Sequence, residues 1–240
     1  MNIVKSNEKI VKSNEKIAKD VYLLKIEGHF EGRMGQFYML RAWSDYPVLS
    51  RPISIYDIGE HEISFLYHVV GEGTERFKQL EAGDAIQLEG PYGNGFPVVQ
   101  GRVALVGGGI GIAPLYLAAK QLQQPDIYLG FSRESYLVDE FRPYAREVVC
   151  DVGGVIVNQI DYTKYDAVIT CGPHVMMKAL TERARGSGAK VYVSLEKRMA
   201  CGIGACLVCS VMCQDGNRKA CVDGPVFAAE EVRFDAEHGV

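Results

Sequence analysis

The chain has 240 residues, a formal net charge of −4, a sequence pI near 5.8 and seven cysteines. That length holds one to three small domains, and the slight acidity excludes a nucleic-acid surface built on net charge. No basic segment followed by an apolar core opens the chain, and the long apolar run from Val103 to Ala119 is broken by Gly107, Gly108, Gly109, Gly111 and Pro114, so neither a signal peptide nor a membrane span is expected and the expected location is the cytoplasm.

The chain opens on a tandem duplication, Ile3 to Lys9 repeated identically as Ile10 to Lys16. Two copies are too few for a repeat architecture. The second copy runs into the strand-like Val21 to Ile26, whereas residues 1–9 read as a surplus extension. Short β-rich runs follow at Gln36 to Arg41, Pro52 to Asp57, Glu62 to Val70 and Ala85 to Glu89, separated by glycine and aspartate. Their spacing predicts a small antiparallel barrel over residues 1–98, with one helical insert from Thr74 to Leu80 and Thr74 as its N-cap.

Two stretches of this barrel suit an anionic ligand. Arg51-Pro52-Ile53-Ser54 offers a guanidinium that grips phosphate oxygens bidentately, beside a hydroxyl. Gly71-Glu72-Gly73-Thr74 places flexible glycines at the start of a helix, where free N–H groups accept a pyrophosphate. The competing readings are a surface arginine and an ordinary turn.

Beyond Pro97 the pattern changes to strand, glycine turn, helix, strand: Arg102 to Val106, Gly107 to Pro114, a helix to about Gln123, then Asp126 to Phe131. This is a βαβ unit of a parallel sheet, predicted over residues 99–195. Gly109, Gly111 and Pro114 match G-x-G-x-x-P, a partial dinucleotide fingerprint. Glu134 after the second strand suits the ribose of NAD and Arg133 the phosphate of NADP, which leaves that choice open. A further strand, Asp166 to Thr170, enters Cys171-Gly172-Pro173, where open α/β sheets bind ligands. A helix from His174 to about Arg185 and a strand from Lys190 to Leu195 complete the sheet, and the tail from Val226 to Phe234 adds a strand or packs on the loop before it. His29, His61, His68, His174 and His238 show no ligand spacing.

The segment 196–240 holds Cys201, Cys206, Cys209 and Cys221, a C-x4-C-x2-C run with a distant fourth cysteine. This is the plant-type spacing for a 2Fe-2S cluster, and Gly202, Gly204 and Ala205 leave room for the loop to wrap it. A zinc ribbon needs two C-x2-C pairs and only Cys206 with Cys209 makes one, while an odd count of cysteines disfavours disulfides. Cys213 is the competing fourth ligand, but choosing it leaves Cys221 unexplained, and it reads as a bystander. A one-electron centre fed by hydride donors calls for a flavin between them.

Taken together, Arg51 to Ser54, Gly71 to Thr74, Gly90 to Gly93, Gly107 to Pro114 and Cys171 to Pro173 resemble the ferredoxin reductase-like family. With Met199 to Cys206 and Cys221 to Phe227 added, the chain looks like the branch serving as electron-transfer subunits of dihydroorotate dehydrogenase B. The resemblance implies an FAD-binding barrel, an NAD-binding α/β domain and a small 2Fe-2S domain. It places FAD on Arg51, Pro52, Ile53, Ser54, Tyr67, Val69, Gly71, Gly73 and Thr74, with Ser54 tuning the flavin. It places NAD by Gly108, Gly109, Gly111, Cys171, Gly172 and Pro173, with Cys171 near the nicotinamide, and the cluster on Cys201, Cys206, Cys209 and Cys221. The implied partner is an FMN-containing dihydroorotate dehydrogenase catalytic subunit in a heterotetramer of two of each chain. The alternatives are a flavin subunit of an NADH-dependent ferredoxin:NADP oxidoreductase or sulfide dehydrogenase, and a zinc-stabilised interaction module.

Overall fold

The structure, a computed structural model, describes residues 8–236. Residues 1–7 of the expected extension and His238 lie outside the described residues. Seven strands build the first sheet: β1 (Glu8–Ala18), β2 (Val21–Glu27), β3 (Phe37–Arg41), β4 (Arg51–Ser54), β5 (Asp57–Ile58), β6 (Glu62–His68) and β7 (Ala85–Tyr92), with helix α1 (Glu72–Lys78) between the last two. They pair antiparallel in the order β4-β3-β7-β1-β2-β6-β5, and the sheet curls until β4 adjoins β6.

The strand that turns the corner is β1. Glu8, Lys9 and Ile10 pair with Gln87, Ile86 and Ala85 of β7, and from Val11 onward the strand pairs with β2. Its register slips between Val11 and Ser13, a bulge that lets one strand serve two directions. Glu8 and Lys9 therefore occupy ladder positions, although the sequence placed them in a surplus extension, because β7 offers them a free edge. Leu24, Ile26, Ile55, Ile63, Phe65 and Phe77 fill the barrel and are fully buried. Helix α1 begins at Glu72 with Gly71 as N-cap, not at Thr74 as expected. Thr74 stands a turn further in, and its hydroxyl accepts from the N–H groups of Val70 (3.0 Å) and Gly71 (3.1 Å).

The second sheet contains β8 (Val103–Gly108), β9 (Asp126–Phe131), β10 (Glu147–Val152), β11 (Ala167–Cys171) and β12 (Lys190–Ser194), all parallel, with helices α2 (Ala113–Gln121), α3 (Val138–Phe141) and α4 (His174–Ala184). A hairpin of β13 (Ser210–Cys213) and β14 (Gly216–Lys219) follows, and β15 (Val226–Ala228) returns antiparallel to β12. The order β10-β9-β8-β11-β12-β15 reverses direction between β8 and β11, which creates a switch point. The sheet is covered on both faces: Val103 and Leu105 join the core shared with the barrel, Ala104 and Val106 a second core beneath α4.

Side chains tie the barrel to the parallel sheet. The Tyr56 ring stacks on Tyr116 of α2 at 4.4 Å and 5°, its hydroxyl donates to Glu140 at 2.9 Å, and Lys120 donates to Asp57 at 2.7 Å. Asn94, just after β7, joins the barrel to the C-terminal segment by donating to the carbonyls of Asp223 (3.0 Å) and Val226 (2.8 Å) and accepting from Val226 N–H (3.2 Å). Among the described residues no helix is long and apolar enough to cross a membrane.

Candidate redox site

Strand β4 is the open edge of the barrel, and Arg51, Pro52, Ile53 and Ser54 are all half-buried on it. Arg51 folds over the start of α1: a Cβ built on Gly73 would fall 2.8 Å from its Cζ and 3.0 Å from its Cγ. The two stretches expected to suit an anion, twenty residues apart in sequence, are thus one surface. The guanidinium is also held above Trp43, 5.5 Å from the ring, and donates to the Leu49 carbonyl. The Thr74 hydroxyl is consumed locally, since it also donates to the Gly71 carbonyl at 2.8 Å, so the loop offers a ligand its backbone. Tyr67 is turned into the barrel, where its hydroxyl donates to Asn14 at 3.1 Å and its ring meets Phe77 edge-on, while Val69 beside it is half-buried.

At the switch point the glycine turn and the Cys171 turn are pressed together. A Cβ on Gly108 would lie 2.7 Å from both Pro173 Cδ and Met176 Sδ, and one on Gly111 would lie 2.6 Å from Gly172 Cα. Gly109 is different: nothing crowds it, and its φ of +54° is what the turn needs. Cys171 is buried, and burial first, then the Glu196 carboxylate, push its thiol up, so it stays protonated. Its sulfur is hydrogen-bonded by Ser194, its register partner on β12, and by the Gly172 N–H. Desolvation by the atoms packed around it raises the Glu196 carboxyl.

The cysteine loop follows β12. Cys201 is bonded by the Cys206 thiol and by the N–H groups of Ile203, Cys206 and Ala205, which hold it down to about 6. Cys221 is buried, and burial together with the neighbouring Cys209 pushes it up to about 12, while the Gly204 N–H bonds its sulfur. The four cysteines therefore come together as two couples, Cys201 with Cys206 and Cys209 with Cys221. No three Cys, His, Asp or Glu side chains among the described residues converge on one metal ion. Two thiol couples under a fan of amide donors suit a two-iron centre with bridging sulfides. Gly202 and Gly204, at φ of +70° and +80°, and Leu207 at +59° make the turns that aim those donors inward. Cys213 stands on β13 two residues from Val211, facing the same buried core, and forms a bridge to Val232.

These three places share one apolar core. It holds Phe37 and Met39 of β3, Met177 of α4, Val193 and Leu195 at the end of β12, and Met199 and Cys209 of the loop. Phe37 pairs with Ser54 and Met39 with Pro52, so the core backs directly onto β4. A Cβ on Gly202 would lie 3.3 Å from Met39 and 3.2 Å from Tyr92, which seats the cysteine loop one strand from β4. The sequence did not disclose Tyr92, Asn94, Ser194 or Lys219. Ser194 alone carried a signal, its place at the C-terminal end of a strand in an open sheet.

Residues 196–233 match the family model of the iron-sulfur cluster binding domain of dihydroorotate dehydrogenase B. The electron transfer subunit of NAD(+)-dependent dihydroorotate dehydrogenase B from Clostridium acetobutylicum is 47% identical over 223 residues, 88% of this chain and 91% of that one. Its counterpart from Clostridium perfringens is 41% identical over 229 residues, covering 89% and 92%. Among solved structures, the NADH-dependent reduced ferredoxin-NADP oxidoreductase superposes with a TM-score of 0.87 at 32% identity, over 98% of this chain and 92% of that one. Phthalate dioxygenase reductase shares the fold at 17% identity and a TM-score of 0.64, over 92% and 94%. The barrel, the switch-point sheet and the paired cysteines thus agree with the relatives: the chain is an oxidoreductase subunit that uses FAD, a 2Fe-2S cluster and NAD, and it belongs to the family of electron transfer subunits of dihydroorotate dehydrogenase B.

Proposed function

We propose that the chain carries electrons from the FMN of a dihydroorotate-oxidising catalytic subunit to NAD+ in pyrimidine biosynthesis, within a cytoplasmic heterotetramer of two of each chain. Held here, FAD would supply two-electron exchange with nicotinamide and one-electron exchange with a 2Fe-2S centre. Everything else is positioning by this chain's residues. Arg51 and the backbone of Gly71, Gly73 and Thr74 would take the FAD phosphates, with Pro52, Ile53 and Ser54 along the ring system and the strand end at Tyr67 and Val69 beside it. Gly108, Gly109, Gly111, Gly172 and Pro173 would border the nicotinamide nucleotide, and Cys171 as a neutral thiol would pack near its ring without attacking it. Cys201, Cys206, Cys209 and Cys221 would ligate the cluster.

The observation that carries this reading is the seat of Gly202 on Met39, the register partner of Pro52: the cysteine loop lies one strand from β4, which supports electron passage between a cluster held there and a flavin held on that edge. The partner's side is marked by Ile203, Leu207, Val208 and Val222, large apolar residues of the cluster segment that are exposed here. An apolar patch around a redox loop suits a stable protein contact. Reconstitution tests the proposal: NAD+-dependent dihydroorotate oxidation should need both chains and vanish with Cys201→Ser. Activity at full rate with that variant would refute the route through the cluster. The high TM-score to the ferredoxin-NADP oxidoreductase structure supports a second reading, in which ferredoxin exchanges electrons with this chain; ferredoxin-dependent and dihydroorotate-independent NADH oxidation would favour it.

A further inference from the structure

Lys219 ends β14, two residues before Cys221. Its carbonyl accepts from the N–H groups of Val222 (3.2 Å), Asp223 (2.8 Å) and Gly224 (3.2 Å), and its own N–H donates to the Asp223 carboxylate at 2.7 Å. This builds the turn that carries Cys221. Its ammonium leaves that turn and crosses to the other ligand loop, where it donates to the Gly204 carbonyl at 3.0 Å. Asp223 is occupied by the backbone, and among the described residues no carboxylate forms an ion pair with the Lys219 ammonium.

The Gly204 carbonyl and the Ala205 N–H belong to the same peptide group. That N–H bonds the Cys201 sulfur, and the N–H of Gly204 itself bonds the Cys221 sulfur. A cation on a carbonyl draws electron density through the peptide and strengthens the hydrogen bond its N–H donates. We propose that Lys219 is a positioning residue for the iron-sulfur centre: its ammonium locks and polarises the Gly204–Ala205 peptide, which then stabilises negative charge on Cys201. The inference rests on Cys201 being a cluster ligand.

Adding one electron to the centre increases the negative charge on its sulfurs, so donors and cations near them favour the reduced form and raise the potential. Lys219 therefore sets how easily this centre accepts an electron, and it does so without touching iron. The test uses the full chain loaded with its cofactors and compares Lys219→Arg, Lys219→Gln and Lys219→Met by iron content and by an EPR-monitored redox titration. The arginine variant should keep wild-type iron and potential. The glutamine and methionine variants should shift the midpoint downward, methionine furthest, because it has neither charge nor donor. Loss of iron in both neutral variants alongside a normal arginine variant would also support the role, since only the charged donor then holds the loop. A glutamine or methionine variant with full iron and the wild-type midpoint overturns it, and so does loss of iron in the arginine variant. Failure of the ligand reading looks different: Cys201→Ser would then keep full iron.

Discussion

The guanidinium of Arg51 lies against Gly73 so closely that a Cβ there would sit 2.8 Å from Arg51 Cζ, within no normal packing distance. An arginine on a barrel edge and a glycine at a helix start are in this way one element, and a side chain at position 73 would have to displace the end of Arg51.

The consequence is a direct test of the flavin edge. Gly73→Ala should push Arg51 aside and weaken FAD binding about tenfold, a loss of about 1.4 kcal/mol. Arg51→Ala should lose at least as much, because the proposed bidentate phosphate contact could no longer form. Flavin fluorescence titration of the FAD-free protein measures both, and unchanged affinity in Gly73→Ala would remove Arg51 from the site.

The cysteine couples predict a sharp division among buried thiols. Cys221→Ser should lose the cluster, and Cys213→Ala should keep wild-type iron, because Cys213 shares the core of Val211 while Cys221 stands with Cys209. Iron and sulfide analysis of the two variants decides it. Retained iron in Cys221→Ser with loss in Cys213→Ala would exchange the two assignments.

Thiol reactivity in the metal-free protein should follow the same geometry. Cys201 is lowered from 9.0 to about 6 by Cys206 and three amide donors, so it is a thiolate at pH 7 and loses reactivity as pH falls through about 6. Cys171, raised by burial, stays a protonated thiol and should resist alkylation across neutral pH. Iodoacetamide labelling read by peptide mass spectrometry between pH 5 and 9, a span set by ordinary thiol chemistry, checks the order Cys201 before Cys171.

Asn94 predicts what joins the C-terminal segment to the barrel. Asn94→Ala removes three side-chain hydrogen bonds to Asp223 and Val226 and should cost about 2 kcal/mol. The loss should appear first as faster amide exchange in the segment after Pro225, with the barrel core unchanged. Uniform exchange throughout would mean that the joint lies elsewhere.

What the sequence disclosed was chemistry written in spacing. The C-x4-C-x2-C run and the glycine turn at Gly107 to Pro114 are local patterns, and each sits in the structure at the kind of element it implies. Short β-rich runs likewise announced β2 and β6, and the strand-turn-helix-strand pattern announced β9. Strand β10 was missed because Glu147-Val-Val-Cys-Asp-Val152 lies on an edge, half-exposed, with too little alternation to register. No strand was expected at β13 and β14, because Asp215 to Lys219 is all polar or glycine and is held in place by its partner strand. Asn94 and Lys219 are single polar residues whose roles depend on partners 132 and 15 residues away, and no period in the sequence connects such pairs.

The proposed route from cluster through flavin to nicotinamide lies within this one chain, so NADH should drive it backwards and deliver electrons to the cluster. An absorption spectrum of anaerobically purified protein, taken with flavin, iron and sulfide content before and after NADH, tests it. Flavin and iron-sulfur bands should appear together, both bleaching on addition of NADH. Flavin that bleaches while a fully loaded cluster stays oxidised would contradict it, because the seat of Gly202 on Met39 would then not be a path for electrons.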